Sequence, residues 1–284
     1  MYWYSPRSNK FDMIHKIVNQ KESMRGFHYH NHYEIYYIMS GSHRYVTDNG
    51  IYELYEGDII FLNTNVLHHT QGIADSREVY LIYCDKSIIE NCGEGSEAFF
   101  ELFSSGVVQF SFRDKEKEYI DMMFSKMYDA FSHPDEFSDQ LLGNFFYELL
   151  TLAYKQNIIN GEKNLRKSDD KNASEEILAA LDFIYNNYKT NISLDDVAKH
   201  VNMSSSYFSK LFKKVMGIGF AQYLLSLRMK EACTLLETTS LPITEVALNS
   251  GFNSSQYFCN AFKTQKGISP FQYRSDSNST ENPQ

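Results

Sequence analysis

Residues 194–218 read LDDVAKHVNMSSSYFSKLFKKVMGI, and residues 243–268 read ITEVALNSGFNSSQYFCNAFKTQKGI. Laid on one another, Val197-Ala198 matches Val246-Ala247 at an offset of 49. Beyond the next turn, Ser204-Ser205, Tyr207-Phe208, Phe212-Lys213 and Gly217-Ile218 match Ser254-Ser255, Tyr257-Phe258, Phe262-Lys263 and Gly267-Ile268 at an offset of 50. The one inserted residue falls where a turn absorbs it. A repeat at fixed period marks one structural unit used twice.

Each copy has the pattern of a short helix, a tight turn and a second helix. In the first, Leu194, Val197, Ala198 and Val201 form an apolar face, and the small Ala198 lets helices approach closely. Ser204 is placed as an N-cap, its hydroxyl accepting from a free amide of the next turn. Phe208, Leu211 and Phe212 then recur at helical spacing, which turns Ser205, Ser206, Ser209, Lys210 and Lys213 outward. In the second copy Ser254 caps, Phe258, Ala261 and Phe262 face inward, and Ser255, Gln256, Cys259, Asn260 and Lys263 face outward. Short polar and basic side chains suit contact with the base edges and phosphates of double-stranded DNA. Between the copies, residues 220–237 carry Tyr223, Leu224, Leu227, Ala232, Leu235 and Leu236 and read as one long helix. Such a spacer would present both reading helices to one side of a duplex, roughly 34 Å apart.

Charge follows the same division. The 284-residue chain has a net charge of -9, wrong in sign for a nucleic-acid binder. Residues 1–172 hold 17 basic against 26 acidic side chains, whereas residues 173–275 hold 10 against 8, a net of +2. Phosphate contact is therefore expected of the C-terminal part alone.

Working outward, 43% hydrophobic and 15% aromatic residues exclude a disordered chain. No apolar run approaches the ~20 residues that cross a bilayer. The first ten residues place charge and Pro6 where a signal peptide needs an apolar stretch, so the cytoplasm is the expected compartment. Cys84, Cys92, Cys233 and Cys259 show neither paired nor metal-ligand spacing and read as small apolar residues in a reducing compartment. From Phe27 to Phe112, short runs rich in Tyr, Ile, Val and Phe alternate with Gly41-Ser42, Asp48-Asn49-Gly50 and Glu56-Gly57-Asp58, the pattern of a many-stranded sandwich or barrel. Helical spacing follows in Ile120, Met123, Phe124, Met127 and Phe131, and again in Leu141, Phe145, Leu149 and Leu152 after His133-Pro134. This yields a β domain over 1–115, a helical pair over 116–159, a polar linker over 160–173, an all-α DNA-binding domain over 174–275 and a tail over 276–284.

The chemistry of the first half concentrates in His28-Tyr-His30-Asn-His32-Tyr-Glu34. On a strand, alternation would send His28, His30, His32 and Glu34 to one face. Groups of that kind inside a barrel bind a metal or hydrogen-bond a polyol.

Residues 174–275 resemble the double helix-turn-helix domain of the AraC (arabinose-regulator) family. The likeness is carried by Leu194-x-x-Val-Ala with Ser204-x-x-Tyr-Phe-x-x-x-Phe-Lys, by Tyr223-Leu-x-x-x-Arg228, and by Val246-Ala-x-x-x-Gly-Phe252 through Phe258-x-x-x-Phe-Lys to Gly267-Ile-Ser-Pro270-x-x-Tyr-Arg274. It covers about a third of the chain. By position it implies base reading at Ser205, Ser206, Ser209, Lys210, Ser255, Gln256, Cys259 and Asn260. The N-terminal stretch resembles a first cupin motif, His28-x-His30 with Glu34 and Gly41, and a second, Gly57-Asp58 with His68. Asn63 and Asn65 depart from it, standing where proline and glycine are usual.

In metal-holding cupins these positions would make His28, His30, Glu34 and His68 the ligands of a divalent transition metal. Sensor cupins of arabinose-type regulators resemble metal-free effector pockets instead. The expectation is therefore an effector site of His28, His30, His32, Glu34, Tyr36 and His68, with no cofactor and a divalent metal as the alternative. Tyr36, Tyr45 and Tyr80 either stack on a sugar ring or serve as ordinary strand residues. The family likeness further implies a homodimer formed through the helical pair, whose aromatic and Met-rich stripes suit two-fold contacts. The whole reads as a cytoplasmic regulator, not an enzyme, controlled by a small molecule such as a sugar, with RNA polymerase as partner if it activates. Two rivals are a metal-dependent cupin enzyme fused to a DNA-binding domain and an effector-independent dimeric regulator.

Overall fold

The computed structural model describes residues 10–19, 27–47, 50–92, 94–104, 106–160 and 171–280. The chain divides into a strand-rich unit reaching to Lys171 and a helical unit from Asn172, with which Phe27 and His28 also group.

The first unit contains β1 (Phe11–Val18), β2 (Tyr33–Ser40), β3 (Ser42–Thr47), β4 (Ile51–Tyr55), β5 (Asp58–Leu62), β6 (His68–Gly72), β7 (Arg77–Cys84) and β8 (Val107–Ser111). Between β7 and β8 lie α1 (Lys86–Glu90), a 3-10 turn (Ser96–Phe100) and α2 (Glu101–Ser104). After β8 come α3 (Asp114–Ser132) and α4 (Ser138–Asn160). Neighbours pair antiparallel in a five-stranded sheet, β1-β7-β2-β5-β8, and a three-stranded sheet, β4-β3-β6. The two sheets have β1, β8, β4 and β6 as their edges and do not close into the barrel expected, and the chain changes sheet at the corner between β4 and β5. Gly57 turns that corner at φ +79°, with the carbonyl of Phe112 only 2.4 Å from where a Cβ would stand. No other residue fits so close an approach.

β5 is buried along its whole length and β2 over all but its last two residues, since both faces of this central part of the sheet are covered. One face carries Tyr36, Ile38, Ile60 and Leu62, which pack with Tyr45, Tyr52 and Leu54 of the small sheet. The other carries Ile35, Tyr37, Ile59 and Phe61, which pack with Ile120, Met123, Phe124 and Met127 of α3 and with Phe146, Leu149, Leu150 and Ala153 of α4. The Tyr37 and Phe124 rings stack at 4.7 Å, and the Tyr37 hydroxyl donates to Asp121 Oδ1 at 2.6 Å. The Met-rich stripe expected to form a dimer surface is thus occupied in covering the sheet. Among the described side chains of these helices, Tyr119, Met122, Leu141 and Tyr147 are large apolar residues left exposed.

The second unit contains α5 (Lys171–Asn187), α6 (Leu194–His200), α7 (Ser205–Met216), α8 (Phe220–Thr238), α9 (Ile243–Asn249), α10 (Ser255–Lys266) and α11 (Pro270–Thr280). The spacer is one helix, as its periodicity predicts. The linker expectation falls largely on residues 161–170, outside the described residues. The final helix runs on to Thr280, past the point where the polar tail was expected to begin.

Candidate functional sites

Two helix-turn-helix units are built by parallel devices. Ser193 caps α6, accepting from the Asp196 amide while the Asp196 carboxylate accepts from the Ser193 amide. Ser204 and Ser254 cap α7 and α10 at the amides of Tyr207 and Tyr257. The first turn passes through the left-handed region at Asn202, φ 55°, and the second at Gly251, φ 90°. After it, Met203 N donates to Ala198 O at 2.8 Å and Phe252 N to Ala247 O at 2.9 Å. These equivalents keep the offset of 49, so the inserted residue lies between this turn and the cap of α10. Both reading helices end at a left-handed glycine, Gly217 and Gly267. Arg228 of the spacer donates through Nε to Tyr188 O and through Nη2 to Thr190 O, both at 2.8 Å, tying α8 to the segment ahead of α6.

The faces left by this packing carry the expected residues. Phe208, Leu211 and Phe212 are buried, whereas Ser206, Ser209, Lys210 and Lys213 are exposed. On α10, Phe258 and Phe262 are buried while Gln256, Asn260 and Lys263 are exposed. Ser205, Ser255 and Cys259 are half-buried, and the Ser205 hydroxyl is held by the Asp195 carboxylate. Sequence reasoning missed Tyr207 and Tyr257, 59% and 57% exposed at equivalent positions of the two helices. Their signal was present in the repeated Tyr-Phe pair, in which only the phenylalanine has an inward role. Lys214 adds a third exposed lysine to α7.

In the strand-rich unit, β2 begins only at Tyr33, and residues 31–32 form a bend. Strand alternation therefore does not align the histidines. The bend instead brings His30 Nε2 to Glu34 Oε2 at 2.9 Å and turns His32 away, its Nδ1 lying 2.8 Å from Asp85 Oδ1. One ring nitrogen from each of His28, His30 and His68 lies within 4.8 Å of the others. Glu34 is buried and also faces His68 Nε2 at 3.4 Å, while Tyr45 donates to its Oε1 at 2.6 Å. Burial works against the carboxylate, yet His68 and His30 outweigh it and hold Glu34 well below the usual carboxylate range. Each imidazole is anchored by Nδ1 at a backbone carbonyl, His30 on His32 O at 3.0 Å and His68 on Val66 O at 2.9 Å. A carbonyl only accepts, so both Nδ1 atoms carry protons and both Nε2 atoms point at one carboxylate oxygen. Tyr36 lies two residues along the same strand face, 2.6 Å from His43 Nδ1.

Residues 12–150 match a family model described as an AraC-like ligand binding domain, and residues 197–276 one described as a helix-turn-helix domain. The HTH-type transcriptional activator AarP of Providencia stuartii is 36% identical over 101 residues, 36% of this chain and 75% of that protein. The chain belongs to the AraC family of transcription regulators. The Msm operon regulatory protein of Streptococcus mutans aligns with this AraC-family chain at 24% identity over 275 residues, 94% of each. The regulatory protein PocR of Salmonella typhimurium is 34% identical over 136 residues, 48% of this chain and 45% of PocR. The chain thus spans less than half the length of that relative. As in its family, a helix-turn-helix domain that binds DNA is joined to a domain for a small-molecule ligand. Among the described residues no helix is long and apolar enough to cross a membrane.

Proposed function

We propose that this AraC-family regulator senses a neutral polyhydroxy compound, a sugar or related metabolite, between its two sheets and thereby changes how it binds its operator. One observation carries the reading: a buried polar group, Glu34, His68, Tyr36, His43 and Arg77, stands where a purely structural sandwich would place apolar side chains. Hydrogen-bonding groups around a largely apolar floor are the usual means of orienting a small ligand. The sugar class is suggested by relatives, among them the melibiose operon regulatory protein of Escherichia coli. Binding would favour one of two arrangements of a cytoplasmic homodimer, the dimer using the exposed side of α3 and α4, with RNA polymerase as the partner in activation. DNA would be read by Ser206, Ser209 and Lys210 on α7 and by Gln256 and Asn260 on α10, with Lys213 and Lys263 at phosphates.

The test titrates full-length protein with D-galactose, melibiose and galactitol, following the melting temperature and then operator affinity by fluorescence anisotropy. A sugar present at ~100 times its dissociation constant adds roughly 2.7 kcal/mol to the stability of the state that binds it. Binding that leaves operator affinity and transcription unchanged would defeat the switching idea.

A divalent cation at His28, His30, Glu34 and His68 is a second reading, favoured by three imidazoles with ring nitrogens within 4.8 Å of one another and by the Nε2 atoms of His30 and His68 converging on one Glu34 oxygen. With Nδ1 protons held by carbonyls, neutral rings would direct lone pairs there, the outer-shell pattern of metal-binding histidines. Stoichiometric iron, manganese or zinc in untagged protein, lost in a His30→Ala/His68→Ala variant, would establish it.

A further inference from the structure

The Glu34 network is closed, with partners at both carboxylate oxygens. A second network, from Arg77 of β7 through Tyr36 of β2 to His43 of β3, ends differently. A guanidinium only donates. Arg77 hydrogen-bonds the Tyr36 side chain, so the Tyr36 oxygen accepts and its own proton is available to another acceptor. An acceptor stands at His43 Nδ1, 2.6 Å from that oxygen. Burial and the Arg77 charge disfavour an imidazolium at His43, so the ring is neutral. Nδ1 accepts from Tyr36, which leaves the ring's single proton on Nε2. That Nε2 is buried and has no hydrogen-bond partner among the described residues, in a side chain only 3% exposed. Buried N–H donors without acceptors are rare because they forfeit their hydration. Across the small sheet, His43 is flanked by Leu54 on β4 and by Gly72 on β6. Gly72 has no side chain to fill the place beside the ring.

We infer that His43 is the sensor's ligand-recognising group, donating its Nε2–H to an oxygen of a polyhydroxy effector, with Tyr36 and Arg77 as the positioning residues that fix its tautomer. This rests on the reading of the sheet interior as the effector site and adds the group that recognises the ligand there. The relay also makes the donor directional: only an acceptor is accommodated opposite Nε2, so an effector bearing an amine or other obligate donor at that point is refused.

Two measurements on the full-length chain test it. Long-range proton–nitrogen NMR of histidine-labelled protein should show His43 neutral at pH 7 with its proton on Nε2; a proton on Nδ1 overturns the inference whatever ligand binds. Calorimetric titration with D-galactose, melibiose and galactitol then compares wild type with His43→Phe, which keeps a flat ring without the donor, and His43→Gln, which restores an N–H. Melting curves without sugar establish whether each variant folds. The probe that binds wild type should bind His43→Phe about tenfold more weakly and recover in His43→Gln. Undiminished affinity in a folded His43→Phe overturns the role of His43 while leaving the sugar reading intact. Failure of every probe to bind wild type defeats the sugar reading and the ligand class assigned here, and the tautomer then judges the relay by itself.

Discussion

His43 stays neutral in the folded protein because burial and the neighbouring Arg77 guanidinium push its pKa down to about 3. In the unfolded chain an imidazole takes up a proton below about pH 6.5. Between those values the unfolded state binds the extra proton, so this group's contribution to stability is full above about pH 6.5 and shrinks as pH falls toward 3. From pH 6.5 to 5 the loss is about 2 kcal/mol. Urea unfolding at pH 7 and pH 5 should show wild type losing that much more than His43→Phe; equal losses contradict the assignment. On the DNA side, Lys210→Ala and Asn260→Ala each remove a side chain that reads a base edge, and each should weaken operator binding by ~1 to 3 kcal/mol. A gel-shift titration that shows unchanged affinity and discrimination would move the reading surface elsewhere. The outward faces were legible residue by residue, because helical periodicity separates buried Phe208 and Phe212 from exposed Lys210 and Lys213. His32 and His43 were not. Their partners, Asp85 and the Tyr36–Arg77 pair, lie on other elements, and no local spacing signals such pairings.

The elements of the C-terminal unit follow from sequence because each is signalled locally: serine caps, apolar spacing and a glycine at each helix end. The two turns look alike but differ in tolerance. Gly251 stands at φ +90° with Tyr188 O 2.7 Å and Lys189 Cα 2.8 Å from the site of a Cβ. Asn202 holds the corresponding conformation with a side chain. Gly251→Ala should therefore cost roughly 3 kcal/mol or more, from strain and overpacking together, while Asn202→Ala costs only about 1 kcal/mol. Thermal melts of the two variants check the order, and a reversed order would show that the turns are built differently. The strand-rich unit was less legible. Alternation in residues 28–34 fits a strand and a loop equally well, and the bend that brings His30 to Glu34 depends on pairing with distant β7 and β5. Closure of the sheets was equally invisible, since local spacing does not say whether the edge strands β1, β8, β4 and β6 pair with one another. The stripe of α3 is apolar as its spacing predicts, but periodicity does not say whether a sheet or a second copy covers it. If the exposed face of α3 and α4 is the dimer contact, Met122→Asp with Tyr147→Asp should yield monomer in light scattering, whereas an unchanged dimer would place the contact elsewhere.

For the molecule as a whole, a net charge of -9 over residues 1–172 against +2 over residues 173–275 favours phosphate contact through the C-terminal part. The tandem repeat also makes a geometric claim: two reading helices joined by the rigid α8 should contact one duplex in successive major grooves, about one helical turn apart. A single measurement reaches that claim directly. DNA selected from a random library by the full-length protein would be footprinted with hydroxyl radicals for wild type, Lys210→Ala and Asn260→Ala. The predicted result is two protected segments about 10 base pairs apart on one face of the duplex, one weakened by each variant. A single protected segment, or two segments weakened together by either variant, would contradict the tandem arrangement.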